Sequence, residues 1–364
     1  MGRVTIIGEA GVNHNGSLDL AFQLVEAGLE AGVDVIKFQT FKAEKLVTRT
    51  AEKAEYQKAA TGSGESQFDM LKRLELSYSD FTQLADFCRT KGIEFLSTAF
   101  DTDSLDFLVH TLGQKRLKIP SGEINNGPYL LSHAQIGCDI ILSTGMSTMD
   151  EIETALGVLA FGFLAPSAKA DPCAFREAYA SREGRGILAR KVTLLHCTSQ
   201  YPAPVGEVNL RAMDSMRDAF GLAIGYSDHT PGITIPIAAV ARGAQMIEKH
   251  FTLDRSMDGP DHAASLEPLE LKAMTEAIRQ VEAALGDGIK KPCPSEMSTM
   301  GVARKSLFAA RDIAEGSVIG EEDVCVLRPG TGLSPMRYWD IVGTKAPRRF
   351  RTGDALFLPE GKDQ

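Results

Sequence analysis

No apolar run in the 364 residues reaches the roughly 18 needed to span a bilayer, and the chain does not begin with the basic-then-apolar pattern of a secretory leader. No C-x-x-C pair occurs. Cys88, Cys138, Cys173, Cys197, Cys293 and Cys325 are scattered, which argues against a disulfide framework in a chain this long. A G-x-G-x-x-G after the first β-like run is missing, and so is a P-loop, which counts against a doubly wound nucleotide-binding fold. A basic excess is also missing. The 39 Lys and Arg stand against 48 Asp and Glu, a net charge of −9, so nucleic acid and anionic membrane are not expected as partners. These absences point to a reduced, cytoplasmic protein. They do not exclude phosphorylated substrates, because two lysines can reverse the field inside one cleft.

What is present is a repeat. Hydrophobic residues make up 43% and charged residues 24%, ordinary globular usage, and the length suits one large domain and one small one. Eight β-rich runs recur: Val4–Gly8, Asp34–Gln39, Glu94–Thr98, Arg116–Pro120, Asp139–Ser143, Val192–Cys197, Leu222–Tyr226 and Met246–Phe251. Several are almost wholly apolar, as strands buried on both faces of a parallel sheet are. Amphipathic segments lie between them, among them Ser17–Ala31, Ser79–Lys91, Thr148–Phe161 and Ile233–Arg242, with Ser17 as a helix N-cap. Eight strand–helix units predict an α/β fold closed as a (β/α)₈ TIM barrel.

The barrel is expected over residues 1–286, ending after a helix at Pro268–Leu285. A connector is expected over 287–300, and a small, mostly β domain over 301–364, with runs at Leu307–Ala310, Val324–Leu327 and Ala355–Leu358. Two segments interrupt the repeat. Phe41–Leu76 is a polar excursion after the second strand, and Ala165–Arg190 reads as a surface insertion with some helix.

Residues at the C-terminal ends of barrel strands converge on one rim. Here those ends carry Glu9, Lys37, Gln39, Thr98, Lys118, Ser121, Glu123, Ser143, Thr144, His196, Thr198, Ser199, Ser227, Asp228, His229, Lys249 and His250. Lys37 and Lys118 beside the hydroxyls of Thr98, Ser121, Ser143 and Ser227 suit a phosphate or carboxylate. Either lysine is also a candidate Schiff-base nucleophile. His229 and His250 end adjacent strands about 5 Å apart and can share a divalent ion. Glu9, His14, His196 and Asp261 remain further ligand candidates. Mn²⁺, Mg²⁺ and Zn²⁺ all suit such a site. Glu9 is a candidate acid/base, and Glu123 a candidate acceptor of sugar hydroxyls.

The runs EAGVNHNG (Glu9–Gly16), KFQT (Lys37–Thr40), KIPSGE (Lys118–Glu123), STGM (Ser143–Met146), HCTSQYP (His196–Pro202), YSDHT (Tyr226–Thr230), EKHFT (Glu248–Thr252) and GPDH (Gly259–His262) resemble the sialic acid synthase family. ARKSL (Ala303–Leu307) and RPGTGLSP (Arg328–Pro335) resemble its C-terminal antifreeze-like, or SAF, domain. The resemblance implies condensation of phosphoenolpyruvate with the open-chain aldehyde of an N-acetylmannosamine-type sugar, releasing phosphate. It implies a Mn²⁺-type metal on His229 and His250, with Glu9 as the proton-transfer carboxylate. Phosphoenolpyruvate would meet Lys37, Thr98, Lys118, Ser121, Ser143 and Ser227. The sugar would meet Gln39, Glu123, Ser199, Tyr201 and Asp261. Arg328 would reach the site of a partner subunit in a domain-swapped homodimer. Ser199, KAEKLVT (Lys42–Thr48), AEYQ (Ala54–Gln57) and ALGDGIK (Ala284–Lys290) resemble the legionaminate branch. The preferred acceptor is therefore 2,4-diacetamido-2,4,6-trideoxymannose, with N-acetylmannosamine second. A lysine-dependent aldolase and a non-catalytic carbohydrate-binding barrel are the rival readings.

Overall fold

A computed structural model describes residues 2–62 and 64–358. Eight parallel strands close into a barrel: β1 (Thr5–Gly11), β2 (Val35–Thr40), β3 (Glu94–Ala99), β4 (Arg116–Ile119), β5 (Asp139–Ser143), β6 (Val192–Cys197), β7 (Ala223–Asp228) and β8 (Met246–His250). Each pairs with its sequence neighbour, and β8 returns to β1. The first helix, α1 (Leu18–Ala31), starts as its sequence demands. The Ser17 hydroxyl accepts from the Leu20 amide, and Gly32 ends the helix in the left-handed conformation at φ 78°.

Alternation along the strands divides the core in two. Ile7, Val35, Leu96, Ile141, Leu195 and Met246 form an inner cluster that fills the barrel. Their chain neighbours, such as Ile6, Ile36, Ile140, Leu194 and Ile247, belong to the larger layer packed against the helices. The barrel is thus a filled core rather than an open channel.

The two interruptions differ from their sequence readings. The excursion after β2 folds into α2 (Ala43–Leu46), α3 (Glu55–Thr61) and α4 (Gln67–Leu74). It is not simply polar: Phe41, Met70 and Leu74 form a separate apolar cluster with Val12. The insertion becomes two helices, Pro172–Ala180 and Arg182–Lys191, and it is not merely superficial. Tyr179 and Leu188 are buried, and the Phe175 ring meets Phe161 edge-on at 5.2 Å. Spaced glycines and charges masked this packing face.

The chain divides into two compact units, Met1–Gly286 and Asp287–Gln364. The second begins with a helix, Pro294–Ala303, which starts within the stretch read as a connector and runs past its end at 300, and none of its residues is buried. It then forms an antiparallel pair, β9 (Ser306–Ala309) with β10 (Val324–Leu327), over a core that includes Leu307, Ile313, Ile341 and Phe350. Ala355–Leu358 is not a full strand; Ala355 makes one isolated bridge to Phe308. No helix among the described residues is long and apolar enough to cross a membrane.

Candidate active site

Register brings the charged residues together. Glu9 lies opposite Lys37 on one side and His250 on the other; Thr98 lies opposite Lys118, and Ser227 opposite Glu248. A bulge between Glu9 and Gly11 shifts the β1–β2 register at the mouth. Gly11, at φ 55°, allows that turn beside the Gln39 and Glu9 side chains.

The mouth opens on a cavity of about 470 Å³ lined by Glu9, Lys37, Gln39, Thr98, Lys118, Ser121, Ser143, Ser199, Tyr201, Ser227, His229, Glu248, His250 and Asp261. Thirteen of the fourteen barrel residues expected in the site are therefore gathered in it. Glu123 is not among the lining residues: its carboxylate accepts from the Asn126 side-chain amide at 2.7 Å, one turn along the chain. Arg328 lies in the second unit, exposed just after β10.

At the floor, the Lys37 ammonium is 2.7 Å from a Glu9 oxygen, 3.5 Å from Glu248 and donates to the Thr98 hydroxyl at 3.1 Å. Lys118 donates to Ser143 at 2.7 Å and is 3.6 Å from Glu248. Ser227 donates to Glu248 at 2.8 Å, and Gln39 donates to Glu9 at 3.1 Å. Gly145 closes the floor: its amide donates to the Ser121 hydroxyl at 3.0 Å, and any β-carbon there would collide with the hydroxyls of Ser199 and Ser121.

Burial and these pairings drive the two carboxylates apart. Burial, with Glu248 nearby, raises Glu9 to about 7 in spite of Lys37. Burial also opposes ionisation of Glu248, but Lys118 and Lys37 outweigh it and hold Glu248 at about 2. One carboxyl is thus poised to exchange a proton near neutrality while the other stays charged, the pattern of an acid/base pair with divided roles. Burial lowers Lys118, while the two carboxylates overcome burial to raise Lys37.

Above this floor stand the imidazoles of His229 and His250, ring centres 5.6 Å apart. His229 Nδ1 lies 2.7 Å from the Thr198 carbonyl, which accepts its proton; burial lowers His229, but Cys197, this carbonyl and Glu248 outweigh it and raise His229 above the usual histidine value. Burial, reinforced by His229, pushes His250 well below the usual histidine range, so it is a neutral imidazole. The Tyr201 ring packs 4.0 Å from His229 and 5.7 Å from His250, and Tyr56 from α3 stacks on Tyr201 at 4.9 Å. Burial raises Asp261 to about 6.

Several rim candidates do not reach the cavity. His196 lies 2.6 Å from the Val208 carbonyl, His14 accepts from the Gly16 amide, and Thr144 donates to the Leu195 carbonyl. Asp228 and Lys249 are fully buried against each other at 2.6 Å, outside the cavity lining. Each is one residue from a lining residue, and alternation sends it to the opposite face of its strand. Glu248 was missed, although its signal was legible: an acid two residues before His250 on one strand must share the face of His250. Tyr56 was missed because the place of the excursion, after the second strand and on the active-site side of the barrel, does not by itself show that α3 stacks Tyr56 on Tyr201.

The NeuB family model matches residues 24–290 and the SAF domain model residues 304–359. The chain belongs to the NeuB family. It is 46% identical over 356 residues to the N,N'-diacetyllegionaminic acid synthase of Campylobacter jejuni, covering 98% of this chain and 99% of that protein. It is also 46% identical over 351 residues to the N,N'-diacetyllegionaminic acid synthase of Legionella pneumophila, covering 96% and 92%. Among solved structures, the N-acetylneuraminic acid synthetase of Leptospira borgpetersenii aligns with a TM-score of 0.66 at 32% identity, covering 82% of this chain and 90% of that one. In this NeuB-family chain no group of three or more His, Cys, Asp or Glu among the described residues is arranged to hold a metal ion.

Proposed function

We propose that the chain is a phosphoenolpyruvate-dependent nonulosonic acid synthase, a transferase forming a carbon–carbon bond between phosphoenolpyruvate and an N-acetylmannosamine-type sugar. The preferred acceptor is 2,4-diacetamido-2,4,6-trideoxymannose, giving N,N'-diacetyllegionaminate, in line with the names of the two 46% relatives. One observation carries the reading: two buried ammonium groups, two buried carboxylates of divided proton affinity and two imidazoles line one cavity.

Lys37 and Lys118, with Thr98, Ser121, Ser143 and Ser227, hold the phosphate and carboxylate of phosphoenolpyruvate by charge-assisted hydrogen bonds. Such an anion returns to Lys118 the charge partner that burial denies it. Tyr201, Gln39, Ser199 and Asp261 orient the sugar so that its aldehyde carbon faces the methylene carbon of phosphoenolpyruvate. Water then adds at the former enol carbon, and the tetrahedral adduct collapses by releasing phosphate. Glu9, at about 7, passes the proton between that water or the new hydroxyl and the solvent.

His229 and His250 fit a divalent ion of the Mn²⁺ type. His250 Nδ1 is buried without a hydrogen-bond partner, and a neutral His229 that keeps its proton on Nδ1, toward the Thr198 carbonyl, would present the Nε2 lone pair to an ion. Two protein donors with the remaining positions open is a catalytic rather than structural arrangement. When bound, such an ion supplies polarisation of the aldehyde oxygen.

Catalysis is assigned to the barrel, residues 1–286, followed by a connector over 287–300 and the accessory domain over 301–364. A domain-swapped homodimer, with Arg328 entering the partner's cavity, is supported by the exposure of Trp339, Met336 and Leu327 in the second unit. A cytoplasmic setting is supported by six free cysteines.

The deciding assay follows phosphate release from phosphoenolpyruvate with a panel of sugars, with and without EDTA, and identifies the product by mass. Release should require both sugar and metal. Arg328→Ala should weaken use of the sugar more than binding of phosphoenolpyruvate; equal effects would count against the swapped arrangement. The lowered Lys118 also favours a second reading, a lysine-dependent aldolase. Pyruvate trapped on the chain by borohydride, with indifference to EDTA, would establish that alternative instead.

A further inference from the structure

The two ends of the cavity have opposite chemistry. The strand ends supply its charged floor, whereas the excursion after β2 supplies a wall of Leu46, Val47, Ala54, Met70 and Leu71. Leu46 and Leu71 are half-buried against the apolar cluster of Phe41, Met70 and Leu74, so one side of that cluster is packed and the other faces the cavity. We propose that this wall selects the acceptor, taking a sugar whose far end carries methyl and acetamido groups and rejecting one that ends in a hydroxymethyl or a phosphate. The inference rests on the synthase reading and adds the specificity element to it.

Geometry and charge both carry the argument. An acceptor with its aldehyde at the imidazoles meets Tyr201, 4.0 Å from His229, and then Tyr56, stacked on Tyr201 at 4.9 Å. Tyr56 lies on α3, so the far end of a six-carbon chain passes onto the excursion. The ammonium groups lining the cavity belong to Lys37 and Lys118, both at the floor and both already engaged by Glu9 or Glu248. Among the described residues that line the cavity, no cation stands at the wall to meet a distal phosphate. A hydroxymethyl fares little better, since a hydroxyl desolvated against leucine and valine loses its hydrogen bonds to water. A methyl gains by the same burial. Tyr56, Gln57 and Gln67 line the cavity as polar groups beside the wall, with the Gln57 side-chain oxygen already accepting from the Ala54 amide at 3.0 Å and from Gln67 at 3.4 Å, so the handle for an acetamido group is this small polar cluster.

The test compares kcat/KM in the full-length, manganese-loaded enzyme for 2,4-diacetamido-2,4,6-trideoxymannose, N-acetylmannosamine and N-acetylmannosamine 6-phosphate. The wild type should prefer the trideoxy sugar. Val47→Thr and Leu71→Asn, which keep the branching and the number of heavy atoms of the side chain, should each reduce that preference over N-acetylmannosamine by about tenfold, the scale of one methyl contact. KM for phosphoenolpyruvate should stay unmoved. Leu71→Met keeps the wall apolar and should retain the preference within about threefold. An unchanged preference in both polar variants overturns the proposal, as does a wild type that favours the 6-phosphate, while either leaves the synthase reading standing. Phosphate release with none of the three sugars removes the synthase reading and this inference together.

Discussion

The inner and outer faces of β7 and β8 carry two buried charge clusters one residue apart, and they are built on opposite terms. On the outer face Asp228 and Lys249 lie opposite each other in register, 2.6 Å apart and without solvent exposure. Thr230 completes that cluster, donating its amide and hydroxyl to Asp228 while its carbonyl accepts from Lys249. Every charge there has a partner. On the inner face Glu248 serves two lysines at 3.5 and 3.6 Å, Glu9 is raised to about 7, and His250 Nδ1 has no partner at all. A closed cluster fixes strands to one another. An open one keeps unspent interactions for a ligand, which is how a binding site differs from a structural ion pair of the same composition.

Four measurements sharpen or break that contrast. The largest effect is expected from His250→Ala on the open face, a loss of about 10³-fold or more in turnover with an unchanged circular dichroism spectrum. Full activity in this variant would take His250 out of the chemistry. Next comes Asp228→Asn on the closed face, which leaves the Lys249 ammonium buried and unpaired at a cost of about 3–5 kcal/mol in urea unfolding. The double replacement with Lys249→Met should regain most of that loss. If the single variant unfolds like the wild type, the outer pair does not hold the strands.

Lys118→Met follows. Removing an under-compensated charge should leave the free enzyme as stable as before, or more so, while phosphoenolpyruvate binding weakens by about 1.5–3 kcal/mol, the scale of one charged hydrogen bond. Thermal shifts with phosphoenolpyruvate and with inorganic phosphate read both quantities, and a lower melting point for the free variant would mean that the cluster is closed after all. The smallest effect concerns pH. Glu9 has a folded-state pKa of about 7 against an ordinary 4.5, so between those values the folded enzyme holds the extra proton. Its contribution is therefore fully present below pH 4.5 and is lost as pH rises through about 7. Metal-free wild type should lose stability across that window relative to Glu9→Gln. Parallel pH curves for the two proteins would show that Glu9 titrates normally.

Much of this was legible in the chain. Eight apolar runs with polar residues at their ends imply a barrel and its mouth, because parallel strands are buried on both faces and a barrel's strand ends share one rim. Lys37, Lys118, His229 and His250 could be found that way, and the cavity gathers all four. Reading a rim residue by residue fails where alternation matters. Asp228 and Lys249 were grouped with their neighbours although a period of two sends them outward, and Glu248 was overlooked although the same period turns it inward. Glu123 misled because a short-range partner, Asn126, was available one turn away.

The sequence by itself determined the strand–helix repeat, the polar strand ends and the capping of elements such as α1, because these depend on neighbours a few residues apart. Only the tertiary structure decided which strands stand side by side, which carboxylate keeps a proton, and that residues 43–74 fold back to wall the cavity. The reason is physical. Proton affinity and specificity depend on desolvation and on partners far apart in the chain, such as Glu9 with Lys37 and Glu248, and distances of that kind exist only once the barrel has closed.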